Sequence, residues 1–152
     1  VHAPTPGAGD VPRQLAQRVR LGIISNGYGD IQRRKLTALG IADLFAGVAI
    51  SEEFGARKPD PSIFAHAAAQ LGVAPRQALH VGDSFEADVL GATAAGMRAC
   101  WYNPYGHPQP ANADAGHQQI RHLQELLDLV RERAGAQGPG TLPSAAGQVG
   151  LR

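Results

Sequence analysis

The sequence is poor in several features that mark broad classes of protein. It has one cysteine, Cys100, so no intrachain disulfide is possible, and we expect a reducing, cytoplasmic environment. No apolar run approaches the roughly 20 residues that span a bilayer, and no basic segment followed by an apolar one opens the chain. The formal net charge is +1 without a long basic run, so neither a membrane nor a nucleic acid is an expected partner.

Short apolar runs alternate with amphipathic segments along most of the 152 residues. The apolar runs predict strands at residues 21–25, 48–50, 78–82 and 99–102, each short enough to be a buried parallel strand. The amphipathic segments predict helices at residues 10–19, 30–39, 61–71, 84–95 and 120–130. This alternation predicts an α/β fold: a Rossmann-like parallel sheet with helices on both faces.

The composition changes near the end of the chain. Residues 1–134 are predicted to form one α/β core, within which residues 103–116 are rich in Pro, Gly and Asn and are expected to be a loop. Residues 135–152 are mostly Gly, Pro, Ala and Ser with few apolar anchors, and they predict a disordered tail.

Polar residues follow the first predicted strand. Ser25, Asn26 and Gly27 place a hydroxyl and successive backbone N–H groups at a strand end that opens towards a helix. Such a turn can cradle an anion. An ordinary strand-to-helix turn explains the same three residues, so this segment alone does not identify a site.

A second polar segment contains Lys58 between the second strand and the next helix. Pro59 and Pro61 each fix one backbone dihedral, so the loop is stiff, and Asp60 is placed to cap the helix. A stiff loop could direct Lys58 at a phosphate. A solvated lysine in a capping turn is the alternative interpretation.

The third polar segment follows the strand that ends at Gly82. Asp83 comes directly after this strand and Asp88 follows within the next helix, so both carboxylates could approach one cation. Oxygen ligands of this kind suit Mg²⁺, which takes one or two carboxylates together with waters and substrate phosphate. A helix cap at Asp83 and a surface position for Asp88 remain the alternative.

Together, in this order, the three segments resemble the second, third and fourth motifs of the haloacid dehalogenase superfamily. The resemblance spans roughly residues 6–130, and it implies Mg²⁺-dependent hydrolysis of a phosphate monoester. It assigns Ser25 and Lys58 to catalysis and to phosphate binding, where the N–H of Asn26 assists. It assigns Asp83 to Mg²⁺ binding, supported by Asp88.

The first motif of that superfamily is an apolar strand ending in Asp-x-Asp, and this sequence has no Asp-x-Asp. The resemblance assigns the nucleophile and the general acid/base to those two aspartates. Asp10 precedes Ser25 but follows no apolar strand, so it is interpreted as a helix cap. We therefore expect that the nucleophile strand and a substrate-selecting cap domain are lacking. Without the nucleophile strand, the sheet would have two unpaired strand edges and an open apolar slot. The chain would then be unstable or inactive.

Two functional hypotheses stay open for this sequence. One is a phosphatase-type hydrolase acting on a small phosphorylated metabolite. Residues 32–36 and 100–104 resemble those of pyrimidine 5′-nucleotidase-like members, which makes a nucleoside monophosphate one candidate. The other is an inactive relative that acts as a phosphate- or metal-binding or interaction domain. A response-regulator-like receiver is disfavoured, because its acidic pair should precede the lysine. His80 is interpreted as a packed strand residue.

Overall fold

The computed structural model describes residues 7–111 and 116–136. Within them lie the strands β1 (Leu21–Ser25), β2 (Phe45–Ile50), β3 (Leu79–Gly82), β4 (Arg98–Tyr102) and β5 (Gln118–Ile120). The α-helices are α1 (Asp10–Leu15), α2 (Gly29–Ala38), α3 (Ser51–Phe54), α4 (Pro61–Gln70), α5 (Gly91–Ala94) and α6 (Glu125–Ala136). No helix among these residues is long and apolar enough to cross a membrane.

The strands form two parallel sheets. In one, β1 pairs with β2, and in the other the order is β3, β4, β5. β1 and β3 are therefore both edge strands, and they lie on either side of the break. The predicted α/β architecture is confirmed. The two unpaired strand edges that the sequence led us to expect are present within residues 7–111 and 116–136.

Both edge strands are buried along their whole length. All five residues of β1 and all four of β3 are buried, which is typical of central strands of a parallel sheet. One core packs α1 and α6 against β1 and the second sheet; it includes Val11, Leu15, Leu21, Leu79, Val81, Leu123 and Leu126. On the opposite face, α4 contributes to a core that includes Ile24, Ala49, Ile63, Phe64, Ala99 and Trp101. Apolar side chains thus bridge the break on both faces.

The C-terminal part of the core differs from the prediction. Residues 118–120 form β5, and Ile120, predicted to begin the last helix, pairs with Tyr102 of β4. The helix begins at Glu125, whose carboxylate accepts hydrogen bonds from the N–H groups of Arg121 and His122, both at 2.8 Å. Strand pairing and this carboxylate cap therefore override the helical spacing of Ile120.

Smaller differences concern three other elements. β2 begins at residue 45 rather than 48, because Phe45 pairs with Leu21, and residues 51–54 of the predicted loop form α3. Asp10, predicted as a cap, is the first residue of α1 and lies 3.7 Å from Arg13. α6 crosses the predicted boundary at residue 135, and residues 137–152 of the predicted tail lie outside the described residues.

The helix after β3 begins with a wide turn. Phe85–Leu90 is π-helical and continues into α5, whereas the sequence predicted one regular helix. The hydroxyl of Ser84 accepts the N–H of Ala87 at 3.1 Å and caps this turn. Asp88, in the middle of the turn, is buried rather than on the surface. Single π-helical turns occur frequently at functional sites.

Candidate functional site

A cavity of about 370 Å³ opens where β1 and β3 end. It brings together the five side chains predicted from the sequence, Ser25, Asn26, Lys58, Asp83 and Asp88. The other lining residues are Ile23, Ile24, Gly27, Gln32, Leu36, Arg57, Ser84 and Ala87. The carboxyl ends of strands are where open parallel sheets bind ligands. The cavity is therefore the candidate active site.

The loop after β1 is tied to the loop that carries Lys58. The Oδ1 atom of Asn26 accepts the N–H of Lys58 at 2.8 Å, and its Nδ2 donates to the carbonyl of Lys58 at 3.0 Å. The hydroxyl of Ser25 accepts the N–H of Gly27 at 3.0 Å, while its own hydrogen can still be donated. The side chain of Asn26 thus positions Lys58, and Ser25 keeps a donor for a ligand.

The loop on the other side of Lys58 is held by α4. Asp60 caps this helix, because its carboxylate accepts the N–H of Ser62 at 2.8 Å and the hydroxyl of Ser62 at 2.7 Å. These hydrogen bonds from Ser62 lower the pKa of Asp60 below its usual value. The predicted cap is confirmed, and Lys58 projects from a segment anchored at both ends.

The carboxylate of Asp88 is the centre of a buried network. Its Oδ1 accepts from Lys58 Nζ at 2.6 Å and lies 2.8 Å from His80 Nε2, while its Oδ2 accepts the N–H of Ser84 at 3.0 Å. Burial would raise the pKa of Asp88, but the hydrogen bond from His80 and the charge of Lys58 outweigh it and hold this pKa well below its usual value. Burial lowers the pKa of His80, so the imidazole is neutral at pH 7.

Gly82, the last residue of β3, allows Asp88 to approach the strand. A Cβ atom at Gly82 would overlap the side-chain carboxyl group of Asp88. The backbone dihedrals are not the reason for a glycine here, because its φ is not positive. The reason is space: the network needs the volume that a side chain would fill.

Asp83 lines the same cavity, and its backbone carbonyl accepts the indole N–H of Trp101 at 3.0 Å. No group of three or more His, Cys, Asp or Glu side chains that could hold a metal ion is found among residues 7–111 and 116–136. A Mg²⁺ ion at Asp83 would need further oxygen ligands, such as water and substrate phosphate.

The sequence did not predict a role for Arg57. Its side chain is exposed, and it lines both the candidate active site and a second cavity of about 410 Å³. The second cavity is also lined by Asn26, Gly27, Tyr28, Ser51, Glu52, Gly55 and Ala56. The position of Arg57 next to Lys58 in the chain was the sequence signal for its role, because a stiff loop that presents one cation also presents its neighbour.

His80 was interpreted as a packed strand residue, and the packing is confirmed, since it is 2% exposed. Its hydrogen bond to Asp88 was missed. The signal was present, because a polar side chain within a buried strand is costly unless it has a partner.

Comparison with protein families and known proteins gives a consistent result. Residues 1–96 match the family model described as haloacid dehalogenase-like hydrolase. The pyrimidine 5′-nucleotidase YjjG of Escherichia coli is 39% identical over 128 residues, 84% of this chain and 56% of that protein. The glyceraldehyde 3-phosphate phosphatase of Methanopyrus kandleri is 42% identical over 118 residues, 76% of this chain and 51% of that protein.

Solved structures show the same similarity. A 2-haloacid dehalogenase from Pseudomonas syringae matches with a TM-score of 0.74 and 38% identity, over 85% of this chain and 53% of that one. The putative hydrolase YfnB from Bacillus subtilis, bound to magnesium, matches with a TM-score of 0.76 and 30% identity, over 82% of this chain and 55% of that one. The chain therefore spans about half the length of the relatives that it matches.

Proposed function

The chain belongs to the haloacid dehalogenase-like hydrolase family, and we propose that it carries the phosphate-binding part of the active site of a Mg²⁺-dependent phosphate monoester hydrolase. One observation carries this proposal: Ser25, Lys58 and Asp83 line one cavity at the carboxyl ends of β1 and β3.

The side chains of this cavity suit a transferring phosphoryl group. Lys58 Nζ has three hydrogens, and the described residues give it one acceptor, Asp88. Two hydrogens of the ammonium group therefore remain for phosphoryl oxygens, and the hydroxyl of Ser25 supplies a third donor. Preorganised donors of this kind stabilise the charge that spreads over the phosphoryl oxygens in the transition state.

We propose Asp83 as the Mg²⁺ ligand and Asp88 as its support. Asp88 already accepts hydrogen bonds from Lys58, His80 and Ser84, so it orders the residues around the ion rather than supplying its main ligand. A single protein carboxylate is enough to bind Mg²⁺ when oxygen atoms of water and phosphate complete its coordination shell. Bound there, Mg²⁺ would neutralise charge on the phosphoryl oxygens.

The nucleophile is proposed to come from a strand placed between β1 and β3. In the part of the chain that the structure describes, both strands have an unpaired edge beside the cavity, and apolar cores cover both faces of the break. A strand parallel to both would pair with the two edges, and its carboxyl end would reach the cavity. An aspartate at that end would face Lys58. The sequence itself contains no Asp-x-Asp, the pattern that the family uses there.

The substrate is proposed to be a small phosphorylated metabolite, with a nucleoside monophosphate as one candidate. The names of two relatives, a pyrimidine 5′-nucleotidase and a glyceraldehyde 3-phosphate phosphatase, support this class. The second cavity shares Asn26, Gly27 and Arg57 with the first and provides room for the leaving group.

A fusion protein tests the proposal. The part of the Escherichia coli relative that precedes its region of similarity is joined to the N-terminus of this chain. Phosphate release from p-nitrophenyl phosphate and from a panel of nucleoside and sugar monophosphates is then measured with and without Mg²⁺. We expect Mg²⁺-dependent turnover that is lost in Lys58→Ala. A folded fusion without turnover, or enzyme-like turnover by the 152-residue chain alone, would refute the proposal.

A non-catalytic phosphate- or metal-binding domain is the second candidate, favoured by the lack of Asp-x-Asp in the sequence. It predicts that the folded fusion binds inorganic phosphate through Lys58 and releases none from any monoester. Phosphate binding with turnover would exclude it.

A further inference from the structure

His80 is a polar side chain inside the core of the second sheet. Its Nε2 lies 2.8 Å from Asp88 Oδ1, and its ring meets that of Phe64 edge to face, with centroids 5.0 Å apart. An ionised carboxylate can only accept hydrogen bonds, so Nε2 must carry the hydrogen. His80 therefore donates to Asp88, and it is not among the residues that line the cavity.

The oxygen that accepts from His80 also accepts from Lys58. Both bonds end on Asp88 Oδ1, and the N–H of Ser84 holds Oδ2 at 3.0 Å. A lysine has a flexible four-carbon stem, so the position of its ammonium group depends on the acceptor that it finds. Here that acceptor is the carboxylate of Asp88, which is itself fixed by two donors. One is His80 of β3, and the other is Ser84, which caps the following turn.

We propose that His80 is a positioning residue of the phosphate site: its Nε2–H fixes the carboxylate of Asp88, which in turn holds the ammonium group of Lys58 at the cavity. The placement of Lys58 follows from the network alone. Its consequence for phosphate rests on the function proposed above.

A purely structural His80 would behave differently. If the ring only filled core volume, a phenyl ring would replace it and leave Lys58 where it is. If its N–H is what matters, glutamine should serve better than phenylalanine, because the Gln Nε2 can reach the place of the imidazole Nε2. The variants His80→Gln and His80→Phe therefore separate the two roles.

The sequence makes the measurement simple, because Lys35 and Lys58 are its only lysines. In protein labelled with ¹³C and ¹⁵N at lysine, each ammonium group gives its own signal, and Lys58→Arg assigns them. We expect a Lys58 signal distinct from that of Lys35, with slowed hydrogen exchange. It should persist in His80→Gln and move towards that of Lys35 in His80→Phe.

Val81→Ala is the matched control for lost stability. Val81 is the next residue of β3 and is 1% exposed, but its side chain belongs to the core on the other face of the sheet. This variant should destabilise the fold and leave the Lys58 signal unchanged. Near-ultraviolet circular dichroism of Trp101 confirms that each variant is folded.

Inorganic phosphate provides the second readout. By calorimetry, His80→Phe should bind phosphate about tenfold more weakly than the parent chain, as expected when a charge-assisted contact is lost. His80→Gln and Val81→Ala should stay within about threefold of the parent, since neither removes that contact. If the parent chain itself fails to bind phosphate, the proposed function fails, while the lysine signals still decide the role of His80.

The parent chain alone can also contradict the inference, should His80→Phe not fold. Nitrogen-15 spectra of the histidine rings report which nitrogen carries the hydrogen. The inference requires the Nε2–H tautomer at His80. The Nδ1–H tautomer, an unmoved Lys58 signal in His80→Phe, or equal losses in His80→Gln and His80→Phe would each overturn it.

Discussion

Lys58 and Asp88 form a buried ion pair, with Nζ 2.6 Å from Oδ1 and side chains that are 10% and 4% exposed. The pair joins the loop before α4 to the wide turn after β3. Burial of two opposite charges is compatible with a stable fold only while both partners are present. This pair therefore couples the stability of the fold to the geometry of the candidate active site.

Asp88→Ala should lower the free energy of unfolding by about 3–5 kcal/mol, because it leaves the charge of Lys58 buried without a partner. Urea denaturation followed by circular dichroism measures the change. The exposed pair of Arg33 and Glu53, at 2.8 Å, is the control, and removing it with Glu53→Ala should have a much smaller effect. A loss for Asp88→Ala no larger than that of the control would contradict the role assigned to this pair.

The sequence was sufficient to predict β1 to β4, their parallel pairing and five of the polar residues that line the cavity. These features depend on local patterns, namely short apolar runs and polar residues at their ends. β5 was missed because Gln118–Ile120 has no strand pattern of its own; its pairing with β4 creates it. The break between β1 and β3 was expected only because no segment resembles the family's first motif.

The contacts of the site were less predictable than its members. Asp88 was predicted as a support of a metal ion, with a surface position as the alternative. It is buried, and its contacts with Lys58 and His80 were not predicted. The wide π-helical turn at Phe85–Leu90 places it there, and no sequence pattern distinguishes such a turn from a regular helix. The contacts of Asp88 depend on the backbone geometry of one helical turn, so they can be identified only from the structure.

Gly82→Ala should disrupt the network directly. The new Cβ would overlap the carboxyl group of Asp88, so either the helix or the carboxylate must move, at a cost of about 1–3 kcal/mol. Phosphate binding should weaken as well, because Lys58 loses its fixed acceptor.

Gly9→Ala is the matched control for Gly82→Ala, since its Cβ would meet only the end of the flexible Arg13 side chain, at 3.2 Å. Thermal unfolding and phosphate calorimetry on both variants check the prediction. Parent-like values for Gly82→Ala would show that Asp88 is not held against the strand.

Acidification should destabilise the fold in two steps. In the folded chain the pKa of His80 lies below its usual 6.5, because of burial, and that of Asp88 lies below its usual 3.8. In both cases the unfolded chain binds more protons, so the stabilisation is complete above about pH 6.5 and is lost as the pH falls. The free energy of unfolding, measured by urea between pH 7.5 and about 2, should decrease first below pH 6.5 and again below pH 3.8.

His80→Phe isolates the first of these steps. Without a titrating ring at this position, the decrease between pH 6.5 and 5 should be smaller than in the parent chain. A parent free energy of unfolding that stays constant or rises over this interval would contradict the neutral state assigned to buried His80.

Mg²⁺ binding should depend on Asp83 more than on Asp88. Titration calorimetry in the presence of inorganic phosphate should show no Mg²⁺ binding in Asp83→Ala. In Asp88→Asn, which alters a residue that only supports the ion, the affinity should fall by about 10–100-fold. Equal Mg²⁺ affinities in Asp83→Ala and the parent chain would remove Asp83 from the metal site.

The central claim is that the cavity at the ends of β1 and β3 binds a phosphoryl group through Lys58. Titration of the ¹⁵N-labelled chain with inorganic phosphate, followed through its amide signals, tests this most directly. We predict saturable shifts that centre on Ser25, Lys58 and Asp83 and are absent from Lys58→Ala. Shifts that fail to saturate, that lie elsewhere in the chain, or that persist unchanged in Lys58→Ala would contradict it.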